Sequence, residues 1–266
     1  SIRRDGSSKF AKDNRWGNFP SFALGWRINN EPFFKYLNAP WISSLKLRAG
    51  WGQIGNQNIG SYLDRSLLSL WTQYGALFGA GSNETLYQGI AVRRLGNSNI
   101  KWETTESMNI GLDASFLNSK LIFSFEYYNK TTKDMLLAAP MPKYMGYFDD
   151  TYTNIGAANN RGVELNLEWR DKINDFEYSV GFNMSTIRNR MTKLNGGTPI
   201  PSGVLRQQYA TYTNEGLPIG AFWGYVTDGL IQTEEQLATV KKAGYQPNAE
   251  LGDVLFVDTD KDGKLD

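Results

Sequence analysis

The 266 residues carry 28 lysines and arginines against 27 aspartates and glutamates, so the net charge of +1 gives no electrostatic reason to expect a nucleic-acid partner. The sequence contains neither cysteine nor histidine, which excludes disulfides, thiol nucleophiles and histidine general bases. Aromatic residues make up 14% of the chain and glycine occupies 27 positions, a composition typical of turns and pleated sheets. No run approaches the ~18 apolar residues of a membrane helix, so a membrane crossing would have to use strands.

Six stretches alternate apolar and polar side chains, as strands with one apolar face do. In chain order they are Ser21–Ile28, Leu45–Gly52, Trp102–Phe116, Leu121–Tyr128, Gly162–Trp169 and Phe176–Ser185. Several are longer than the usual five or six residues, and a bilayer-spanning strand needs about ten at a steep tilt. The pattern predicts a long-stranded, mostly antiparallel sheet.

The connections between these strands alternate in length. Leu117–Lys120 and Asp171–Asp175 are short, whereas Ile54–Asn99, Asp134–Thr153 and everything after Asn189 are long. A barrel with tight turns at one rim and long loops at the other has this pattern. Aromatic residues near the strand ends fit interfacial girdles, although cross-strand pairs in a soluble sheet would explain them too.

Two segments have helical character. Asn30–Asn38 has a capping asparagine and an early proline. Thr233–Ala243 begins with acidic residues, ends with basic ones and is followed by Gly244, which matches the helix dipole.

Ten motifs lie in a fixed order along nearly the whole chain. They are Arg4–Phe10, Asn14–Gly17, Phe19–Ser21, Leu47–Gln57, Trp102–Thr105, Tyr127–Asp134, Asn154–Gly156, Asn160–Glu164, Gly252–Asp253 and Asp258–Asp262. Together they resemble the SusC/RagA-type TonB-linked outer-membrane proteins. The combination is specific, whereas each motif alone is weak.

This resemblance implies an all-β fold, namely an antiparallel transmembrane β-barrel segment with long extracellular loops, part of a 22-stranded barrel that holds an internal plug. It implies a location in the cell outer membrane, in contact with its lipid. The implied function is the import of glycans or peptides, driven by the TonB complex, with a SusD-like surface lipoprotein as a lid. Substrate identity stays open between oligosaccharide and peptide.

On the same resemblance, residues 1–266 are a partial barrel domain with about six strands, and residues 190–266 are mostly extracellular loop. The absence of a leader segment and the abrupt end at Asp266 suggest a fragment. The plug and the segment that contacts TonB are expected to lie outside it.

An Asp-rich segment near the end of the chain has the pattern of the first part of a calcium loop. Oxygen ligands at alternate positions with glycine at the sixth fold around one hard cation. The candidate ligands are Asp258, Asp260, Asp262, the carbonyl group of Lys264, and Asp266. The alternative is a surface turn rich in aspartate. No other cofactor is expected.

Aromatic residues in the predicted long loops are candidate substrate contacts, because flat ring faces stack on sugar rings. They are Trp71, Tyr74, Tyr87, Tyr147 and Tyr152. The alternative is that these rings pack into a small core of the loops themselves or meet a partner protein.

The residue patterns also allow two other function classes. A secreted β-sandwich that binds carbohydrate is the main alternative, and it would show two packed sheets sharing one core. An enzyme is disfavoured by the lack of a catalytic motif or phosphate loop. Acidic residues on the polar strand faces, such as Glu126 and Glu164, are expected in a barrel wall.

Overall fold

The computed structural model describes residues 1–37, 39–79, 81–139, 143–146, 149–194, 199–205, 208–259 and 262–265. Within them the chain forms two α-helices and fourteen strands. The elements are β1 (Ile2–Gly6), β2 (Trp16–Arg27), α1 (Pro32–Tyr36), β3 (Ile42–Asn56), β4 (Leu67–Phe78), β5 (Thr85–Arg94), β6 (Glu103–Phe116), β7 (Leu121–Ala139), β8 (Thr151–Ile173), β9 (Phe176–Lys193), β10 (Ile200–Leu205), β11 (Gln208–Thr213), β12 (Ala221–Phe222), β13 (Thr227–Leu230), α2 (Glu234–Ala243) and β14 (Val254–Phe256). In this described part, neither helix has the length and apolar content to cross a membrane.

The chain divides into two compact units. The first comprises Ser1–Thr198 with Asn214–Ile219, and the second comprises Pro199–Thr213 with Gly220–Asp266. The first unit is built on a seven-stranded antiparallel sheet in the order β1-β2-β3-β6-β7-β8-β9. All six predicted strands are confirmed. The short strand β1 was not predicted, because its five residues do not alternate.

Two predicted loop boundaries were wrong. β7 runs to Ala139 and β8 begins at Thr151, so both ends of the predicted Asp134–Thr153 loop are strand. A register shift lies between Thr132 and Met135, where Asp134 has φ 54°. Such a bulge breaks the alternation and hides the continuing strand from a sequence pattern.

The predicted Ile54–Asn99 loop contains the β4–β5 hairpin, so most of this segment is also regular structure. Leu68 pairs with Val92, and Leu70 pairs with Ile90. Register shifts occur between Leu67 and Leu68 and between Trp71 and Ala76, and they interrupt the period-two pattern.

The predicted short turns are confirmed. Residues Leu117–Lys120 link β6 to β7, and only Asn174 and Asp175 separate β8 from β9. Asn174 has φ 54°, a left-handed conformation that asparagine tolerates better than most residues. The second turn is tighter than the predicted Asp171–Asp175, because β8 extends to Ile173.

The second unit contains the sheet β10-β11-β12, the pair β13-β14 and α2. The predicted helix Thr233–Ala243 is confirmed as α2. Thr233 caps it in a capping box with Gln236, and Gly244 ends it at φ 88°. Ile231, Val240 and Ala249 form a small buried core beside it. Regular structure therefore occupies part of the predicted loop 190–266.

The two faces of the large sheet differ in chemistry. Cross-strand register places one apolar side chain from each of six strands in a single row, namely Trp26, Leu47, Leu112, Phe125, Leu165 and Met184. Neighbouring rows on that face are also apolar, and Val180 is 63% exposed and Leu24 70% exposed. A two-sheet sandwich would bury such a face, which argues against the alternative fold.

A buried hydrophobic cluster of the first unit lies where the long connections join the sheet. Its members are Phe10, Phe19, Ile59, Leu63, Ile100 and Trp102, with Leu136 and Tyr152 packed against them. The Trp102 ring lies 5.1 Å from the Phe10 ring and 5.5 Å from the Phe19 ring. We call this set the outer cluster.

Candidate functional site

The polar face of the sheet holds a row of three residues on adjacent strands. Arg48 on β3 lies opposite Gly111 on β6, and Gly111 lies opposite Glu126 on β7. A Cβ atom at Gly111 would approach the Arg48 Cζ to 2.6 Å. The missing side chain therefore gives the guanidinium room to cross β6 and reach Glu126 two strands away.

Arg48 is the centre of a hydrogen-bonded network. Its Nη1 donates to Glu126 Oε2, and its Nε donates to Asp113 at 3.2 Å. Asn109 Nδ2 donates to the second Glu126 oxygen at 2.8 Å, and Ser124 Oγ donates to Asp113 at 2.9 Å. Both carboxylates are thus paired and hydrogen-bonded, as charged groups on a partly buried polar wall need to be.

Other acidic residues of this face are also paired. Glu168 accepts two hydrogen bonds of 2.8 Å from Arg170, and Glu177 lies 3.0 Å from Lys172 Nζ. Their partners are neighbours on the same sheet. This arrangement favours the interpretation as a charged wall over a pair of catalytic carboxylates.

The outer cluster fixes the start of the long connections. Lys9 Nζ donates to the Ile59 carbonyl oxygen at 2.7 Å, and Trp102 Nε1 donates to the Arg15 carbonyl oxygen at 3.2 Å. Asn154 Nδ2 donates to the carbonyl oxygens of Lys101 at 2.9 Å and Asp134 at 2.8 Å. These contacts join the β1–β2, β3–β4 and β5–β6 connections to one another and to the neighbouring parts of β7 and β8.

The predicted substrate residues fall in different surroundings. Tyr87 is exposed on β5, with its ring edge-on to Phe78 at 5.5 Å. Tyr152 is partly buried against the outer cluster, as the packing alternative expects. The side chains of Trp71 and Tyr74, and all of Tyr147, lie outside the described residues. A substrate role for these five residues stays a prediction.

The Asp-rich segment is described only in part. Asp258 Oδ2 accepts a hydrogen bond from the Gly263 amide, and Asp262 Oδ1 accepts one from the Lys264 amide, both at 2.8 Å. Asp260 and Asp266 lie outside the described residues. Among the residues that are described, no group of three or more acidic side chains is arranged to hold a metal ion. The calcium hypothesis stays untested.

Sequence reasoning missed a set of exposed and partly exposed aromatic rings in the second unit. Phe222 is 94% exposed, and the Tyr212 ring lies 5.1 Å from that of Trp223. Tyr209 lies 6.2 Å from Tyr212. The Ala-Phe-Trp-Gly-Tyr run at 221–225 was a visible signal, but the alternation rule does not apply to a two-residue strand.

An antiparallel sheet with one exposed apolar face, one charged polar face and unequal connections defines the wall of a transmembrane β-barrel. A family model described as "TonB dependent receptor-like, beta-barrel" matches residues 1–252. The chain belongs to this family and is therefore an outer-membrane protein.

Curated relatives agree with this assignment. The chain is 34% identical over 271 residues to "TonB-dependent receptor P3" of Formosa agariphila, covering 99% of the chain and 26% of the relative. It is 38% identical over 197 residues to "TonB-dependent receptor SusC" of Bacteroides thetaiotaomicron, covering 74% of the chain and 19% of the relative. The chain therefore spans about a quarter or less of these proteins.

Solved structures also match. The "RagAB peptide importer in the 'closed-closed' state" aligns with a TM-score of 0.72 at 27% identity, over 96% of the chain and 26% of that structure's chain. The "RagAB peptide transporter" aligns with a TM-score of 0.69 at 28% identity, over 86% of the chain and 24% of that structure's chain. The SusC/RagA resemblance is thus confirmed.

Proposed function

We propose that this chain forms wall strands and outer loops of a TonB-dependent transporter that imports oligosaccharides or peptides together with a SusD-like surface lipoprotein. The observation that carries the proposal is the two-faced sheet. The apolar face suits lipid, and the Arg48 network suits a polar interior. The relative named as a peptide importer supports peptide as a cargo class, and oligosaccharide is retained from what the SusC/RagA resemblance implies.

The apolar face has the height that a membrane requires. From Phe176 to Met184 on β9, apolar residues occupy every second position, which is about 27 Å of strand. At a tilt of about 40° this corresponds to a band about 21 Å high, close to the usual ~25 Å. Outer-membrane barrels have short turns on the periplasmic side and long loops outside the cell, so the long connections of this sheet are assigned to the cell exterior.

The test uses the complete transporter in its own cells. Deleting its gene should abolish uptake of one labelled cargo class, oligosaccharide or peptide, and the restored gene should recover it. Affinity purification of the complete protein in detergent should recover a surface lipoprotein with it. Normal uptake of both cargo classes after the deletion would contradict the proposal.

We also propose that the Asp-rich segment binds calcium in the complete protein. The support is the spacing of its carboxylates and the turn they make around Gly263. Calorimetric titration should show calcium binding that Asp258→Asn removes and that Asp175→Asn, in the short β8–β9 turn, retains. No heat of binding with the unsubstituted protein, or equal heats with magnesium, would reject a calcium site.

A further inference from the structure

A basic patch interrupts the lipid-facing surface just above its apolar band. On β8, Arg161 lies on the same face of the sheet as Val163 and Leu165, because the three residues are two positions apart. On β9, Arg188 and Arg190 lie on the same face as Met184. Arg161 and Arg188 lie directly opposite each other in the ladder. The three arginines, all exposed, are called the arginine patch.

The arginine patch carries unbalanced charge. Directly opposed like charges destabilise a sheet pair, yet two arginines occupy directly opposite positions in the ladder here. Among the described residues, no carboxylate forms an ion pair with Arg161, Arg188 or Arg190. The arrangement is therefore complementary to an anion that the chain itself does not supply.

A nearby pair on the same face shows the contrast. Lys133 on β7 lies 2.8 Å from Glu106 on β6, so that cation is matched within the sheet. Asn159, opposite Arg190, donates to Asn129 at 2.6 Å and to Thr131 at 3.0 Å. The residues around the arginine patch are thus polar and internally satisfied, whereas its arginines are not neutralised.

The height of the patch points to the membrane interface. The row that contains Arg161 and Arg188 continues through Asn129 and Met108 to Trp51 on β3. Tryptophan is enriched at the level of lipid head groups. The patch lies between the apolar band and the side of the long connections, which faces the exterior. Its natural neighbour is the head-group layer of the outer leaflet.

We propose that the arginine patch binds a phosphate group of an outer-leaflet lipid. Guanidinium groups bind phosphate oxygens through paired, charge-assisted hydrogen bonds, and clustered basic residues beside a membrane recognise anionic head groups. A phosphate between Arg161 and Arg188 would turn their repulsion into two attractions. The proposal rests on the outer-membrane location and does not depend on the cargo.

The test measures melting of the complete transporter in a neutral detergent, titrated with bisphosphorylated lipid A, dephosphorylated lipid A or inorganic phosphate. Three variants are compared with the parent. The first is the double substitution Arg161→Gln with Arg188→Gln, and the second is Arg188→Lys, which keeps the charge but loses the paired donors of the guanidinium. The third is the control Arg27→Gln. Arg27 ends β2 near the opposite edge of the apolar band, so the control removes one positive charge, half the change of the double variant, without touching the patch.

We expect bisphosphorylated lipid A to raise the melting temperature of the parent and of the Arg27→Gln control. The double variant should bind it at least about tenfold more weakly, and Arg188→Lys should lie between. Without lipid A the double variant should melt higher than the parent, because the repulsion is gone. With lipid A the order should reverse.

Three outcomes would overturn the proposal. Equal lipid affinity of the parent and the double variant would show that the arginines do not bind the head group. Equal stabilisation by dephosphorylated lipid A would assign binding to the acyl chains. Equal stabilisation by inorganic phosphate at the same concentration would assign it to a free ion. If the double variant does not fold, Arg188→Lys gives the same comparison.

Discussion

Replacing Phe19 with alanine should loosen the outer connections of the sheet. Phe19 is only 5% exposed and meets Trp102 edge-to-face at 5.5 Å. Two glycines leave room for the Phe19 ring. A Cβ atom would come within 2.5 Å of the ring at Gly17 and within 2.0 Å of it at Gly55. Since glycines have no side chain that could move into the vacated space, the cavity should persist. The cost should lie within the usual ~3–5 kcal/mol for phenylalanine-to-alanine changes in a core.

Local proteolysis measures this loss where it occurs. The outer cluster joins several connections, so the lost free energy should favour their local opening. A loss of ~3–5 kcal/mol corresponds to an increase of about two to three and a half orders of magnitude in the open population. Limited proteolysis of the complete transporter in detergent should show faster cleavage between residues 57 and 66.

Phe222→Ala is the matched control, because that ring is almost fully exposed. It removes the same side chain without opening a cavity, so cleavage in the 57–66 segment should stay at the parent rate. Unchanged cleavage in Phe19→Ala would refute the reasoning, as would equal acceleration in both variants. Either result would mean that the outer cluster does not hold the connections.

Two further predictions test the two faces of the sheet. Val180→Arg should cost about 2–4 kcal/mol in folding into lipid vesicles if the residue faces mid-bilayer, whereas Asn183→Arg on the polar face should cost little; equal costs would refute the face assignment. Gly111→Val should displace the Arg48 guanidinium. The coupling energy between Arg48 and Glu126 in a double-mutant cycle, about 0.5–1 kcal/mol for a partly exposed pair, should then fall toward zero. A coupling energy that survives the substitution would contradict the proposed crossing of β6.

The sequence predicted those features that depend on local alternation. The apolar and polar faces of a strand can be recognised from a few consecutive residues, because side-chain direction in a strand has a period of two. This holds for Leu121–Tyr128 and Phe176–Ser185. The bulge at Asp134 defeated the same rule, since one extra residue reverses the parity. The acidic start and basic end of Thr233–Ala243, followed by Gly244, identified α2, because helix ends have specific side-chain requirements.

The Arg48 network and the arginine patch were not predicted, because both depend on register between strands. Arg48 and Glu126 are 78 residues apart in the chain, and no local pattern reports that Gly111 separates them. Arg161 and Arg188 occupy separate strands; Arg161 precedes an alternating apolar stretch and Arg188 follows one, and one arginine beside such a stretch is unexceptional. The mid-strand glycine at 111 was the available signal, since glycine in a strand marks a close approach.

The pairing of β3 with β6 has a consequence for how the wall forms and varies. Ser44 and Ser115 meet although 71 residues separate them, whereas β6–β7 and β8–β9 close through short turns. The local hairpins should therefore form early, and the β3–β6 seam should close late. Each doubling of a flexible connection costs only about 0.6 kcal/mol in closure entropy. The segment between β3 and β6 is thus a place where evolution can lengthen and reshape the outer surface while the wall keeps its register.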